Sequence, residues 1–147
     1  MTTVRALAKS DFEAWLPLWN GYLEFYEVEL ADEMTNLTFE RLTGGHSQMR
    51  GALAINEDGI AVGMVNWLTH PGTWAEADSV YLEDLFVSKD ARGTGAGRAL
   101  IQHVDDWGKA HGAAKVYWLT AESNKTAQQL YDRMAKKTGF IHYQIND

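Results

Sequence analysis

The stretch Leu85-Phe86-Val87-Ser88-Lys89-Asp90-Ala91-Arg92-Gly93-Thr94-Gly95-Ala96-Gly97-Arg98-Ala99-Leu100 constrains this chain more than any other. An apolar triplet runs through a charged turn into three alternate glycines, just where a helix has to begin. Glycine there costs backbone entropy, so something must come close to the main chain. A strand before and a helix after form the geometry in which first-turn amides bind phosphate oxygens. Arg92 and Arg98 add positive charge. A dinucleotide loop would need its third glycine where Arg98 stands and would normally follow a first strand, although Glu122 lies roughly where a ribose-binding acid belongs. The lysine-serine/threonine ending of a nucleotide P-loop is absent. A tight glycine turn with no ligand is the remaining alternative.

Composition removes other classes. The chain has 147 residues, 46% of them hydrophobic and 12% aromatic, which fits one domain with a real core. There is no cysteine, so disulfides, thiolate metal sites and cysteine nucleophiles are excluded. No apolar run approaches the roughly 20 residues of a membrane span, and the N-terminus is too polar for a signal peptide. The expectation is a soluble cytoplasmic domain that uses neither membrane nor nucleic acid. The net charge of −7 instead favours cationic small partners. The five histidines show no metal-ligand spacing, so no metal is expected.

Patterning predicts a strand over Thr3–Leu7 and a capping box at Ser10-Asp11-Phe12-Glu13. A helix should follow, with Phe12, Trp15, Leu16, Trp19, Tyr22, Leu23 and Tyr26 on one face and a kink or split at Pro17. A shorter helix starts near Thr38 and ends at Gly44-Gly45. Strands over Ala52–Asn56 and Ile60–Leu68 flank the turn signal Asp58-Gly59, His70-Pro71-Gly72 ends the second, and Val80–Val87 forms the next. Leu100, Ile101, Val104 and Trp107 mark a helix from Gly97 to Gly112. Lys115–Thr120 reads as a short strand. Ser123-Asn124 caps a helix carrying Ala127, Leu130, Tyr131 and Met134, closed by Lys136-Lys137 and Gly139. Phe140–Ile145 reads as a final strand. The order βααβββ then αβαβ predicts an α/β mixed sheet with helices on both faces.

Arg92-x-x-Gly95-x-Gly97, preceded by Leu85-Phe86-Val87 and followed by Ala99-Leu100, resembles the acetyl-CoA motif of the GNAT family of N-acetyltransferases. The likeness extends to Asn124 and Leu130-Tyr131. His70-Pro71-Gly72-Thr73-Trp74 and Tyr81-Leu82-Glu83-Asp84-Leu85 resemble a subgroup with diamine acetyltransferases and fungal enzymes acting on histones, polyamines or D-amino acids. The resemblance implies a mostly antiparallel sheet in which one parallel strand pair splays apart. It places the coenzyme A pyrophosphate on the amides of Arg92, Gly93, Thr94, Gly95, Ala96, Gly97 and Arg98, with Asn124 nearby. It lays the pantetheine arm along Leu85, Phe86 and Val87 like an added strand. It also implies a homodimer.

Acetyl transfer needs a neutral amine, whereas an alkylamine with a pKa near ~10 is protonated at neutral pH. A carboxylate, directly or through water, can take that proton. Glu83 is the candidate base, because it lies on the strand that the resemblance implies carries the thioester; period-two alternation puts it on one face with Leu85 and Val87, opposite Asp84 and Phe86. Asp84 is the alternative base or the holder of a positive acceptor. A backbone N–H near Phe86 or Val87 could stabilise the oxyanion. The resemblance gives Tyr131 the task of protonating the departing thiolate. With no cysteine and no serine elbow, direct transfer in a ternary complex is the simplest route. Trp19, Tyr22, Tyr26 and Trp74 could line the acceptor pocket, while Glu24, Glu27 and Glu29 read as a solvated face. These residues point to an N-acetyltransferase for polyamines, diamines or amino acids. The alternatives are a protein or histone lysine acetyltransferase and a non-catalytic acyl-CoA-binding module.

Overall fold

The computed structural model describes residues 2–146. Strands β1 (Thr3–Ala6), β2 (Met49–Ile55), β3 (Ala61–His70), β4 (Ser79–Val87) and β5 (Val116–Tyr117) form one sheet in that order. Neighbours from β1 to β4 pair antiparallel, and β4 pairs with β5 parallel. Helices α1 (Phe12–Phe25) and α2 (Asp32–Glu40) precede β2, α3 (Ala96–Ala110) joins β4 to β5, and α4 (Lys125–Met134) follows. The middle strands are apolar along most of their length because helices cover both faces. On one face Val65, Trp67, Val80 and Leu82 pack with Leu100, Ile101 and Val104 of α3. On the other, Leu53 and Met64 pack with Trp15, Leu18 and Trp19 of α1 and Phe39 of α2. Among the described residues no helix is long and apolar enough to cross a membrane.

Several expectations hold in detail. The turn between β2 and β3 is closed by Asn56, whose Oδ1 accepts from the amides of Asp58 and Ile60, both at 3.0 Å. Helix α3 ends in a Schellman turn, with Ala113 N–H donating to the Gly108 carbonyl at 2.9 Å and Gly112 N–H to that of Lys109 at 3.2 Å. Asn124 caps α4 by accepting from the Ala127 amide at 3.3 Å.

Others are corrected. Ser10 does not cap α1; a single 3-10 turn, Lys9–Asp11, leads into it. The Asp11 carboxylate reaches back to the Ala8 amide at 2.7 Å and grips the Arg5 guanidinium at 2.7 and 2.9 Å. That ion pair fixes the helix entry to β1, a longer-range bond than a local box. Pro17 does not split α1, which runs unbroken, because Pro17 and the Glu13 carbonyl it deprives of a partner are on the exposed side. The second helix begins at Asp32 rather than near Thr38, with Asp32 and Glu33 in its first turn, where the helix dipole favours acids. Strand β5 keeps only two of the six predicted residues, and Lys136-Lys137 lie beyond α4. Phe140–Ile145 lies outside the sheet without regular secondary structure, with Ile145 99% exposed. A strand pattern needs a neighbouring edge, and this segment meets none in its own chain.

Candidate active site

The site forms where β4 and β5 part. Their parallel pairing consists of Val80 opposite Val116 and Tyr81 opposite Tyr117. Beyond that β4 continues to Val87 with β3 on one side and, among the described residues, no strand on the other. Leu82 to Val87 therefore present main-chain groups along an open fork, a ready template for an extended ligand.

The glycine loop closes one end of this fork. Gly93 and Gly95 have φ of +83° and +90°, a left-handed backbone that side chains with a Cβ rarely adopt. A Cβ at either position would meet no atom within 4 Å, so the loop is open where a ligand would lie. Gly95 is the N-cap of α3, and no side chain caps that end. The first-turn amides of Ala96, Gly97 and Arg98 therefore have no helical partner, and the helix dipole makes them attractive to an anion. Arg92 leans back over β4, its Nε donating to the Val87 carbonyl at 3.4 Å. Gly97 plays another part, since a Cβ there would touch Leu130 at 3.5 Å and Val87 at 3.8 Å. The loop and the β4 edge thus fit a pyrophosphate joined to an extended arm. Asn124 caps α4 with its carbonyl oxygen, and its Nδ2 is the side chain's donor for a ligand.

A β-bulge sets the acidic side. Asn66 pairs with Asp84, but its neighbour Trp67 pairs with Leu82, so Glu83 is the extra residue on β4. The expected alternation is corrected accordingly. Leu82, Leu85 and Val87 all belong to the α3 face, and Phe86 belongs to the α1 face. Glu83 does not share the face of Leu85 and Val87. It lies close enough to Tyr81, Tyr22 and Asp84 for its charge to act on both phenols, and for the Asp84 charge to act on it. Single-strand periodicity cannot reveal such a shift, because a bulge is defined by its partner strand.

Both carboxyls are held above the usual carboxylate range. For Glu83 the causes are burial among protein atoms, then the neighbouring Asp84 charge. For Asp84 burial dominates, opposed by a hydrogen bond from Asn66 Nδ2 at 3.1 Å and by the Tyr22 hydroxyl. Burial and the Asp84 charge push the Tyr22 phenol well up. Helix α1 can bring Tyr22 here because Gly21 lies on the Phe86 ring, where a Cβ would come within 2.7 Å of Cζ.

Tyr131, on α4, packs edge-on against Trp118 with ring centroids 5.5 Å apart. Burial raises its phenol, and Tyr26, the residue just past α1, adds to the effect. Trp19, Tyr22 and Tyr26 continue one aromatic ladder, with centroids 5.7 and 5.0 Å apart. Only its outer members reach the site. Trp19 is buried and donates from Nε1 to Thr35 Oγ1 at 3.2 Å, so it backs Tyr22 rather than lining a pocket. Trp74 is 93% exposed in the β3–β4 loop, at the opposite end of β4 from Leu85–Val87. Sequence reasoning passed over Asn66 and Trp118, and gave Tyr81 no role beyond its place in a motif. Asn66 did leave a signal, being the lone side-chain amide in the apolar run Ala61–Leu68.

Comparisons with known proteins agree with this geometry. Residues 13–135 match the model of the acetyltransferase (GNAT) family. The chain is 37% identical over 144 residues to the D-amino-acid N-acetyltransferase HPA3 of Saccharomyces cerevisiae, covering 97% of this chain and 89% of the relative. It is 28% identical to the uncharacterized N-acetyltransferase YhfO of Bacillus subtilis, covering 97% and 96%. Its fold superposes with a TM-score of 0.86 on AAC(6')-Iy in complex with a CoA bisubstrate analog, at 19% identity and covering 100% and 99% of the two chains. The matched family model spans the fork, the loop and α4 together, and the chain belongs to the acetyltransferase (GNAT) family as an acetyl-CoA-dependent N-acetyltransferase.

Proposed function

We propose that the protein transfers acetyl from acetyl-CoA to a primary amine of a cationic small molecule, directly, in a ternary complex. Polyamines, diamines and basic amino acids are the substrate class. The observation that carries this reading is the pair Glu83 and Asp84, neighbouring carboxyls on which no basic side chain acts among the described residues. Two such acids beside each other lower their mutual repulsion when a cation comes between them. Bound acetyl-CoA supplies the activated acetyl thioester. The amides of Ala96, Gly97 and Arg98, with Gly93, Thr94 and Gly95 opening the loop, hold the pyrophosphate, and Arg92 adds charge. Leu85, Phe86 and Val87 align the arm by main-chain bonding, and an amide near Phe86 or Val87 faces the thioester oxygen. Asp84 anchors the ammonium while Glu83, accessible in its bulge, takes the proton from the attacking nitrogen. Tyr22 and Tyr26 wall the acceptor. Tyr131 keeps its proton at neutral pH and delivers it to the leaving sulfur.

The yeast relative, a D-amino-acid N-acetyltransferase, supports a second reading in which the acceptor is an amino acid held by the aromatic wall. A basic amino acid satisfies both, since its net charge stays positive. The test compares a diamine, a basic D-amino acid and a neutral D-amino acid, following thiol release at low and high salt. Steering by exposed charge weakens once the Debye length falls below about 10 Å, near 0.1 M salt. The cationic acceptors should show the higher kcat/KM, with KM rising as salt is added and kcat nearly level. Preference for the neutral amino acid at both salt levels would exclude the cationic class and leave the acetyltransferase intact.

The C-terminal segment supports a homodimer. Phe140, Tyr143 and Ile145 are 88%, 86% and 99% exposed on a chain with strand alternation but no edge to join. A second copy offers a sheet edge for it, reciprocally about a two-fold axis. Light scattering at micromolar concentration should give twice the chain mass, and deleting residues 140–146 should reduce it to one. A monomeric mass for the full chain would remove the dimer.

A further inference from the structure

Asn66 is 3% exposed, on β3 beside the bulge. An asparagine side chain can donate two hydrogen bonds and accept two. Here one is made, from Nδ2 to Asp84 Oδ2 at 3.1 Å, and Oδ1 is buried with no partner. Leaving a buried acceptor unpaired costs stability, so an apolar side chain of similar size would suit this strand better. The retained amide is explained by what it holds. We propose that Asn66 is a positioning residue, fixing the Asp84 carboxylate in one orientation and in its charged form so that it can anchor a cationic acceptor. This rests on the reading of Asp84 as that anchor.

The groups around Asp84 make the consequence directional. Tyr22 faces it from α1 and Asn66 from β3, both as donors that favour the carboxylate. Glu83 and Tyr81 flank it on β4, where its charge bears on each. Burial opposes ionisation, and among the described residues no cation acts on Asp84. Losing the Asn66 donor leaves burial less opposed, so the carboxyl picks up its proton at higher pH. An acceptor that needs the carboxylate is then bound less well on the acid side. Acetyl-CoA, seated on the glycine loop and the β4 edge, is unaffected.

The experiment follows initial rates against pH for Asn66→Leu, Asn66→Ser and Asp84→Asn, each alone, and for Asn66→Leu combined with Asp84→Asn. Asn66→Leu should keep or raise Tm. The acceptor KM at neutral pH should rise about 10-fold, the usual size for a lost hydrogen bond to a charged group. The acid limb of kcat/KM for the acceptor should move up by about one pH unit, with KM for acetyl-CoA held. Asn66→Ser, whose hydroxyl is too short to span to Asp84, should behave alike and serves if the leucine variant does not fold. In the Asp84→Asn background Asn66→Leu should add nothing. If Asp84→Asn weakens the acceptor while Asn66→Leu leaves its KM and acid limb unmoved, Asn66 has no such role and the anchor reading stands. If Asp84→Asn leaves the acceptor KM unchanged, the anchor reading falls and takes this inference with it. A rise in both KM values together with a lower Tm would make Asn66 merely structural.

Discussion

Tyr131→Phe should bind acetyl-CoA as the unaltered protein does and turn over roughly 10²-fold more slowly or worse, the usual size of a lost general acid. The substitution keeps the ring on Trp118, whose centroid lies 5.5 Å away, so packing is spared. What disappears is the one proton this side chain can give. Burial holds the phenol above its ordinary value, which keeps it protonated through neutral pH and suited to donate rather than accept. The loss should be the same at every pH below the tyrosine range, since the missing proton is not one that titrates there. Single-turnover rates and calorimetric affinity measure the two quantities separately. Near-normal turnover under conditions where chemistry limits the rate would reduce Tyr131 to a packing residue.

Gly95→Val should abolish measurable acetyl-CoA binding while leaving a folded protein. At φ +90° the backbone disfavours any Cβ, and forcing one there costs about 1–2 kcal/mol. That is small against a domain stability of order 5–15 kcal/mol. The branched side chain would stand in the space beside the uncapped start of α3, where nothing lies within 4 Å of the Cβ position. That is where a pyrophosphate would have to approach the free amides. Thermal unfolding reports the strain and calorimetry with coenzyme A the lost site. Unchanged affinity in the folded variant would show that the anion sits elsewhere.

Much of this was legible from the chain. Alternate glycines after an apolar strand marked the open loop ahead of α3, because a requirement for positive φ or close approach is written in residue type. Helical spacing placed Leu100, Ile101 and Val104 in the core, and Asn124 correctly as a cap. Elements with a strong period or a local hydrogen bond came through, since their causes lie within a few residues of one another. The failures share the opposite property. Asp11 turned from a supposed capping box to Arg5 of β1. Phe140–Ile145 has the alternation of a strand but no neighbouring strand. Trp19, which spacing put on the apolar face of α1 but which was also named for the acceptor pocket, is locked into the core by Thr35 of α2.

The acidic pair shows the division most clearly. That Glu83 and Asp84 are adjacent on the strand leading to the glycine loop is a property of the sequence, and the family resemblance, which puts the thioester beside this strand, suggested a place for an amine. Period two then assigned them to opposite faces. The tertiary structure decided otherwise, because β3 skips Glu83 when it pairs, and one unpaired residue reverses the alternation for everything after it. Burial under α1, the Asn66 donor and the Tyr22 hydroxyl then set the charge state of Asp84, from elements 18 and 62 positions away in the chain. Chemical identity is carried by single residues and their near neighbours, so the sequence determined the candidate cofactor loop, the candidate acid and the candidate base. Orientation and proton affinity depend on the atoms that surround a group in space, and only the folded sheet brings those together.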